Sequence, residues 1–375
     1  MKTFNLIAPV ASGIESVTNK ELKDLGYQTQ SENGYIRFQG NEYDIALTNI
    51  SLRSADRIKI VVAEFKTYNF DDLFDNIRDI PWQDYLDYRQ NFVVNARTKN
   101  SSNNSVPNIQ RISEKAIIET LRPKGFTGFL PKEGPIINLE VAIDKDVAMI
   151  TIDTTGDSLF KRGYRVNKGG APLKENFAAA LVLLTNWFPD NPFVDPTTGS
   201  GTIPIEAALI GRNIAPGLLR HFTFENFYWF DKKQLELAKD AADAKADYDT
   251  LLEISGFDID GRMVEIAKQN AKQAGVSQDI KFQQLAVKDW STTEENGIIV
   301  SNPPYGQRLG ELEEAEVLYK QMGQIYNQLP TWSKYILTSD ENFENVFGAR
   351  ATKKRKLYNG ALRVDYYQYW GKKNR

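Results

Sequence analysis

Asn302-Pro303-Pro304-Tyr305 follows four residues, Ile298-Ile299-Val300-Ser301, that read as a buried strand of an α/β sheet. Neither proline can donate a ladder hydrogen bond, so the strand ends at Asn302. That places Asn302 at a carboxyl end of the sheet, where open α/β folds bind ligands. The Asn302 carboxamide oxygen and the Pro303 carbonyl are two acceptors on a stiff turn. Together they can hold both hydrogens of a planar NH₂ group and expose its nitrogen lone pair, while the Tyr305 ring stacks on the base that carries the amine. The predicted chemistry is group transfer to an exocyclic amine. Taken alone, Asn-Pro-Pro is equally well a turn after a strand, and a second motif about a hundred residues earlier decides for chemistry.

That motif is Phe193-Val194-Asp195-Pro196-Thr197-Thr198-Gly199-Ser200-Gly201-Thr202, a strand running through a glycine loop into a helix. Glycines let backbone approach a bound ligand closely. The loop lacks the Gly-Lys-Ser/Thr ending of a P-loop and the third glycine of a dinucleotide fingerprint. Asp195 would repel a pyrophosphate but suits a cation or an ammonium group, and S-adenosylmethionine carries a sulfonium and an ammonium together. The next strand ends in Gly256-Phe257-Asp258-Ile259-Asp260. A carboxylate at a second strand end is the expected acceptor for two ribose hydroxyls. Asp258 and Asp260 are each also candidates to cap the following helix. Asp258 lies much farther from the glycine loop than the roughly 20 residues of the dinucleotide pattern, so residues 211–250 include an insertion.

Composition narrows the alternatives. The 375 residues are 41% apolar and 25% charged, ordinary for a globular protein of two or three domains. No apolar run approaches the roughly 18 residues of a membrane span, and the first residues do not read as a secretory signal, so a cytoplasmic location and no membrane partner are expected. With no cysteine in the chain, disulfides, thiolate metal sites and cysteine nucleophiles are excluded. His221 is the sole histidine and sits among apolar residues; a structural role is expected of it, and no metal. Net charge is −3, yet residues 88–132 hold eight Lys/Arg against two acids, 156–174 five against one, and 350–375 nine against one. Three basic segments in an acidic chain fit a nucleic-acid footprint, or simply a solvated surface.

The elements that must position these residues fall into two halves. Residues 3–155 alternate short strands and helices, an α+β region divided here into a ferredoxin-like piece (1–60) and a second domain (61–155). Residues 156–172, rich in glycine and basic residues, read as a linker that could also reach the active site. From 173 to 375, strands at 192–195, 254–258, 280–285, 298–301 and 334–339 alternate with helices. A closing hairpin turns at Asn359-Gly360. This predicts a doubly wound, Rossmann-like sheet with an antiparallel edge.

Asp-Pro-x-x-Gly-Ser-Gly-Thr, then Asp-Ile-Asp, then Asn-Pro-Pro-Tyr-Gly resembles the class I methyltransferases that act on exocyclic base amines. With its amino-terminal region the chain resembles the THUMP-domain RNA methyltransferases. More narrowly it is similar to the bacterial family that methylates guanine N2 in large-subunit ribosomal RNA, whose members are often labelled adenine-N6 DNA methylases. The resemblance covers nearly the whole chain. Ala171-Pro172-Leu173-Lys174-Glu175-Asn176 and Asn302 through Gln307-Arg308-Leu309 are its most specific stretches. It implies a Rossmann-like methyltransferase domain preceded by a THUMP/ferredoxin-like region, S-adenosyl-L-methionine as cofactor, and RNA as partner, 23S ribosomal RNA or an assembling large subunit. It assigns Asp195, Pro196, Gly199, Ser200 and Gly201 to the methionine end of the cofactor. Asp258 would hold the ribose, with Ile259 beside the adenine. Asn302, Pro303, Pro304 and Tyr305 would hold the target base. Glu175 and Asn176 are placed to approach the cofactor. Asp289 is the acidic candidate for the adenine amine, with Ala286 as the alternative position. Adenine-N6 methylation of DNA or RNA, and a non-catalytic RNA-binding assembly factor, are the competing functions. Oligomeric state is left open.

Overall fold

Strict alternation of buried and half-exposed residues builds the first sheet. In Ile136–Asp144, Ile137, Leu139, Val141 and Ile143 are buried while their neighbours face outward, the period-2 pattern of a strand covered on one face. A computed structural model describes residues 2–123, 128, 130–165, 173–306 and 311–372. Its amino-terminal region contains β1 (Phe4–Pro9), α1 (Glu15–Asp24), β2 (Thr29–Glu32), β3 (Tyr35–Gly40), α2 (Glu42–Ser51) and β4 (Lys59–Lys66). It continues with α3 (Phe70–Arg78), β5 (Asn91–Lys99), α4 (Val106–Leu121), β6 (Ile136–Asp144) and β7 (Val147–Asp153). These strands form a single sheet in the order β2-β3-β1-β4-β7-β6-β5. β4 pairs with β1 on one side and with β7 on the other. The expected division at residue 60/61 therefore falls within a strand, and the two α+β pieces share one backbone ladder.

The second half contains α5 (Glu175–Leu183), β8 (Phe193–Asp195), α6 (Thr202–Gly211), α7 (Lys232–Asp243), β9 (Ile254–Asp258), α8 (Gly261–Gln273) and β10 (Ile280–Gln284). Then come β11 (Ile298–Ser301), α9 (Glu311–Tyr326), β12 (Ser333–Thr338), α10 (Phe343–Phe347), β13 (Lys353–Asn359) and β14 (Leu362–Tyr369). The order is β10-β9-β8-β11-β12-β14-β13, with β10, β9, β8, β11 and β12 mutually parallel. The antiparallel strand expected at the edge, β14, lies inside the sheet between β12 and β13. The central strand β11 is buried at all four positions, which is why its sequence shows no alternation. Strand order reverses between β8 and β11, so the crevice of a doubly wound fold opens there.

The two halves are bolted together. The insertion before α7 folds back on the amino-terminal sheet: the Trp229 ring stacks on Phe4 at 4.9 Å, and Gly217 N–H donates to the Ile50 carbonyl at 2.9 Å. Arg355 of β13 donates to the Gly13 carbonyl and to Ser16 Oγ. Of the expected linker, residues 166–172 lie outside the described residues, but 156–165 is anchored. The side chains of Arg162 and Glu206 are 2% and 0% exposed and lie 3.4 Å apart. Arg162 also donates to the Arg53 and Leu159 carbonyls, and Tyr164 Oη donates to Glu206. Burial lowers the Arg53 guanidinium to about 10.

Arg162→Ala is expected to cost about 3–5 kcal/mol, because Glu206 is left as a buried charge without its cation. Arg162→Met combined with Glu206→Leu removes the charge as well and should lose less than the single variant. Urea midpoints decide this; equal losses would assign the cost to packing instead.

Candidate functional site

Three adjacent strand ends make the site. In the parallel register Asp195 faces Gly256, and Val194 faces Ile299. Asp258 therefore lies just beyond Asp195 on one side and Asn302 just beyond it on the other. Thr197 Oγ1 and Ser301 Oγ, 2.8 Å apart, tie the glycine loop to the strand that carries Asn302.

The loop is held from behind and left open in front. Gly201 is the N-cap of α6 at φ +84°; a Cβ there would come within about 3 Å of Ala267 and Phe282. Gly199, at φ +51°, has no atom within 4 Å of where its Cβ would lie. The first glycine serves packing; the second keeps space in front of the backbone. Ser200 gives its carbonyl to Asn270 at 3.0 Å and its hydroxyl lies 3.3 Å from Thr202 Oγ1. Thr198 N–H donates to the Phe257 carbonyl, while its buried Oγ1 has no partner among the described residues.

Asp195 is 1% exposed, and its carboxylate accepts from Thr197 N–H at 3.1 Å. Burial pushes its pKa up to about 8, and the neighbouring Asp258 carboxylate adds to the rise. No cation is paired with it among the described residues. Asp258 accepts from Gly199 N–H at 2.9 Å on one oxygen and from Asp260 N–H at 2.9 Å on the other. Each oxygen retains acceptor capacity. Asp260 takes the capping role at α8, accepting from Arg262 N–H, which leaves Asp258 aimed at the loop. Ile259 is 73% exposed at the rim. A buried carboxylate awaiting a cation, an open glycine backbone, an unpartnered hydroxyl and an exposed apolar side chain fit a cationic nucleoside.

The remaining candidates divide. Glu175 is buried at the start of α5, 3.4 Å from Arg165, which in turn donates to Thr202 Oγ1 at 3.1 Å. It therefore reaches the loop through an arginine. Burial raises its pKa, partly offset by Arg165. Asn176 turns away from the loop: its Nδ2 donates to Asp56 Oδ1 at 2.8 Å, a tether to the amino-terminal half. Asp289 ends a short 3-10 turn, exposed, three residues past Ala286. The Leu285 N–H donates to the Asp258 carbonyl, so Leu285 and Ala286 are the residues that leave the strand beside Asp258. Among the described residues, no hydrogen bond joins Asn176 or Asp289 to the glycine loop. His221 is at the surface, 3.4 Å from Glu225, away from these residues.

At the turn, Pro303 is buried and Pro304 exposed. Tyr319 Oη donates to the Pro304 carbonyl at 2.8 Å and lies 2.9 Å from Thr338 Oγ1, bracing the turn from beneath. Tyr305 Oη donates to Asn302 Oδ1 at 2.5 Å. The acceptor expected to receive the amine is therefore held by the hydroxyl of the ring expected to stack. Thr197, Arg165 and Tyr319 were missed at the sequence level. Only Thr197, inside the glycine motif, carried a usable signal. Ala171-Pro172 and Gln307-Arg308-Leu309 lie outside the described residues. Among the described residues no helix is long and apolar enough to cross a membrane, and no cluster of three or more His, Asp or Glu could hold a metal.

Comparison with known proteins follows this geometry. A family model described as "RMKL-like, methyltransferase domain" matches residues 162–368; the RlmL ferredoxin-like domain matches 5–59 and the THUMP domain 67–153. A Bacillus subtilis protein provisionally named RNA methyltransferase YpsC is 50% identical over 99% of this chain and 97% of its own length. The ribosomal RNA large subunit methyltransferase K/L of Syntrophotalea carbinolica is 33% identical over 96% of this chain. The chain spans about half of that relative's length, 52%. A crystal structure of a provisionally named methyltransferase complexed with SAH superposes with a TM-score of 0.95 at 50% identity, covering all of both chains.

Asp195 carries a pH prediction for the ligand-free protein. Unfolded, its carboxyl ionises near 3.8; folded, near 8. Between those values the folded chain keeps a proton that the unfolded chain has lost, so stability falls as pH rises through the window. Asp195→Asn removes this penalty. Its melting temperature should match wild type near about pH 4 and exceed it increasingly up to about pH 8.5. A pH-independent difference in thermal melts would contradict the assignment.

Proposed function

We infer the reaction from the premise that this chain belongs to the RMKL-like methyltransferase family. It is an S-adenosylmethionine-dependent RNA methyltransferase of the K/L type. The finer reading is that it methylates the exocyclic N2 amine of a guanine in 23S ribosomal RNA, naked or in an assembling large subunit, in the cytoplasm. One observation carries this: Asn302 and the buried Asp195 stand on neighbouring strand ends, joined by the Thr197–Ser301 contact. An amine acceptor thus lies beside a cation site. The turn itself accepts a guanine or an adenine amine alike. The amino-terminal region and the full-length resemblance support guanine in RNA.

The cofactor supplies a methyl group on a sulfonium: a C–N bond forms as the S–C bond breaks, leaving a neutral thioether and releasing one amine proton. Asp195 is the residue for its ammonium, Asp258 for its ribose hydroxyls, and Ile259 for the face of its adenine. The Gly199 backbone lies against it. Asn302 Oδ1 and the Pro303 carbonyl accept the two amine hydrogens, favouring a pyramidal nitrogen whose lone pair points at the methyl. A guanine amine is a poor nucleophile because its lone pair is delocalised, so placement and preorganised dipoles carry the catalysis. No strong base is required, and the surplus proton leaves to water. A paired base must be flipped out to reach the turn, at a cost of a few kcal/mol. Stacking on Tyr305, about 1–3 kcal/mol, offsets part of it.

Nucleoside mass spectrometry of ribosomal RNA from cells with and without the gene tests this directly. One N2-methylguanosine should vanish, return with wild type and stay absent with Asn302→Ala. Loss of N6-methyladenosine instead would move the target to adenine. In vitro, Asn302→Ala should reduce kcat by about a hundredfold or more while cofactor binding by calorimetry is unchanged.

Tyr305 separates ring from hydroxyl. Tyr305→Phe keeps the stacking surface and should remain within about tenfold of wild-type kcat/KM, whereas Tyr305→Ala should fall by about 5- to 150-fold. Equal losses in steady-state assays would mean that the hydroxyl matters and the ring does not.

A further inference from the structure

Asp195 ends β8 and Thr202 starts α6, so they stand at the two ends of the glycine loop. The loop is drawn together by the Gly201 N–H, which donates to the Thr198 carbonyl at 2.9 Å. Asp195 answers the ammonium of the cofactor's methionine. That methionine also carries a carboxylate, bonded to the same carbon as the ammonium, so its donor must lie at the same loop. Among the described residues, one Lys or Arg side chain hydrogen-bonds to this loop or to the first residue of α6. It is Arg165, whose Nη2 donates to Thr202 Oγ1 at 3.1 Å. Thr202 Oγ1 lies in turn 3.3 Å from Ser200 Oγ. Neighbouring cations are engaged elsewhere: Arg262 pairs with Asp260 at 2.8 Å, and Lys174 Nζ lies 5.0 Å above the Phe160 ring.

The chain fixes Arg165 in this place. Thr202 and Glu206 are one turn apart on the same face of α6. Tyr164 Oη donates to Glu206 at 3.1 Å while Arg165 donates to Thr202, so the segment is pinned alongside the helix at two successive turns. Arg165 Nη2 also donates to the Leu173 carbonyl at 2.9 Å. Yet the guanidinium is incompletely spent. Its Nε lies 3.4 Å from Glu175 and makes no hydrogen bond, and its Nη1 makes none among the described residues. Arg212, by contrast, meets Asp279 through two parallel bonds of 2.6 and 2.8 Å, the geometry of a guanidinium that a carboxylate fully claims. The Arg165 side chain also keeps 12% of its surface exposed.

We propose that Arg165 binds the carboxylate of the cofactor's methionine, as the counterpart of Asp195 for the ammonium. The two side chains then recognise opposite charges on one carbon. Asp195 alone would accept any amine in that position; Arg165 restricts the site to a nucleoside that carries a whole amino acid. The assignment rests on the reading of this loop as the methionine end of the cofactor site, and supplies the anion partner that the reading lacks.

Calorimetry on the full chain tests this with S-adenosylhomocysteine and its decarboxylated and deaminated analogues. Wild type should bind S-adenosylhomocysteine about 10- to 150-fold more tightly than the decarboxylated analogue, the worth of a hydrogen bond between charged groups. Arg165→Met should lose that factor for S-adenosylhomocysteine and bind the decarboxylated analogue as wild type does. Arg165→Lys keeps the charge without the planar fork and should fall between. Arg165→Met leaves Glu175 buried without its cation, so the double variant with Glu175→Gln is the second test and should show the same loss of discrimination. Equal weakening of both ligands would make Arg165 a prop for the loop and overturn the assignment. A wild type that binds the two equally would overturn it as well, while leaving the cofactor reading intact. The Asp195 reading is decided separately. Asp195→Asn should weaken S-adenosylhomocysteine and the decarboxylated analogue and spare the deaminated one. If it weakens all three alike, the ammonium assignment fails, and the Arg165 comparison still decides the carboxylate. If wild type binds none of the three, both assignments fall.

Discussion

Asp195 is a carboxylate that the fold buries without giving it a cation. Everything at the carboxyl edge of the second sheet follows from that imbalance. Desolvation holds the group near a pKa of 8, and the Asp258 carboxylate across the loop worsens the penalty. The glycine loop supplies N–H donors to both acids, Thr197 to one and Gly199 to the other. Those bonds orient the carboxylates without neutralising them. A ligand with positive charge near Asp195 and hydroxyls near Asp258 completes the electrostatics that the protein leaves unfinished. Active sites accept instability of this kind because binding energy is recovered there.

Elsewhere the same chain buries charges in ion pairs. Arg212 and Asp279 meet at 2.6 Å between α6 and the start of β10, with side chains 8% and 1% exposed. Arg162 and Glu206 do the same at the junction of the two halves. Against these pairs the lone Asp195 is an exception with a location, at the switch point of the sheet. Thr198 Oγ1, without a partner among the described residues, lies in the same loop.

Much of this was legible before any coordinates. Runs such as Ile298–Val300, bounded by prolines, and the spacing of Asp195 and Asp258 ahead of helices, report local geometry, and local geometry is what periodicity and turn chemistry encode. What escaped depends on partners distant in the chain. The resemblance places Asn176 near the cofactor. Its amide is claimed by Asp56, 120 residues earlier. Nothing near Tyr305 announces that its hydroxyl bonds Asn302, or that Tyr319 braces Pro304. The insertion after residue 211 was visible as surplus length, but its destination against Phe4 and Ile50 was not. The division placed at 60/61 lies between the stretches matched by the ferredoxin-like domain, 5–59, and the THUMP domain, 67–153; that one strand, β4, ladders the two into a single sheet was not visible.

That shared strand has a mechanical consequence. β4 is laddered to β1 on one side and β7 on the other, so bending the amino-terminal region at its midpoint would require tearing a continuous sheet. Arg355, Asn176 and the folded-back insertion clamp the same region to the methyltransferase sheet. The molecule therefore behaves as a ruler rather than a hinge. The span from its outer strand β5 to Asn302 is a fixed length.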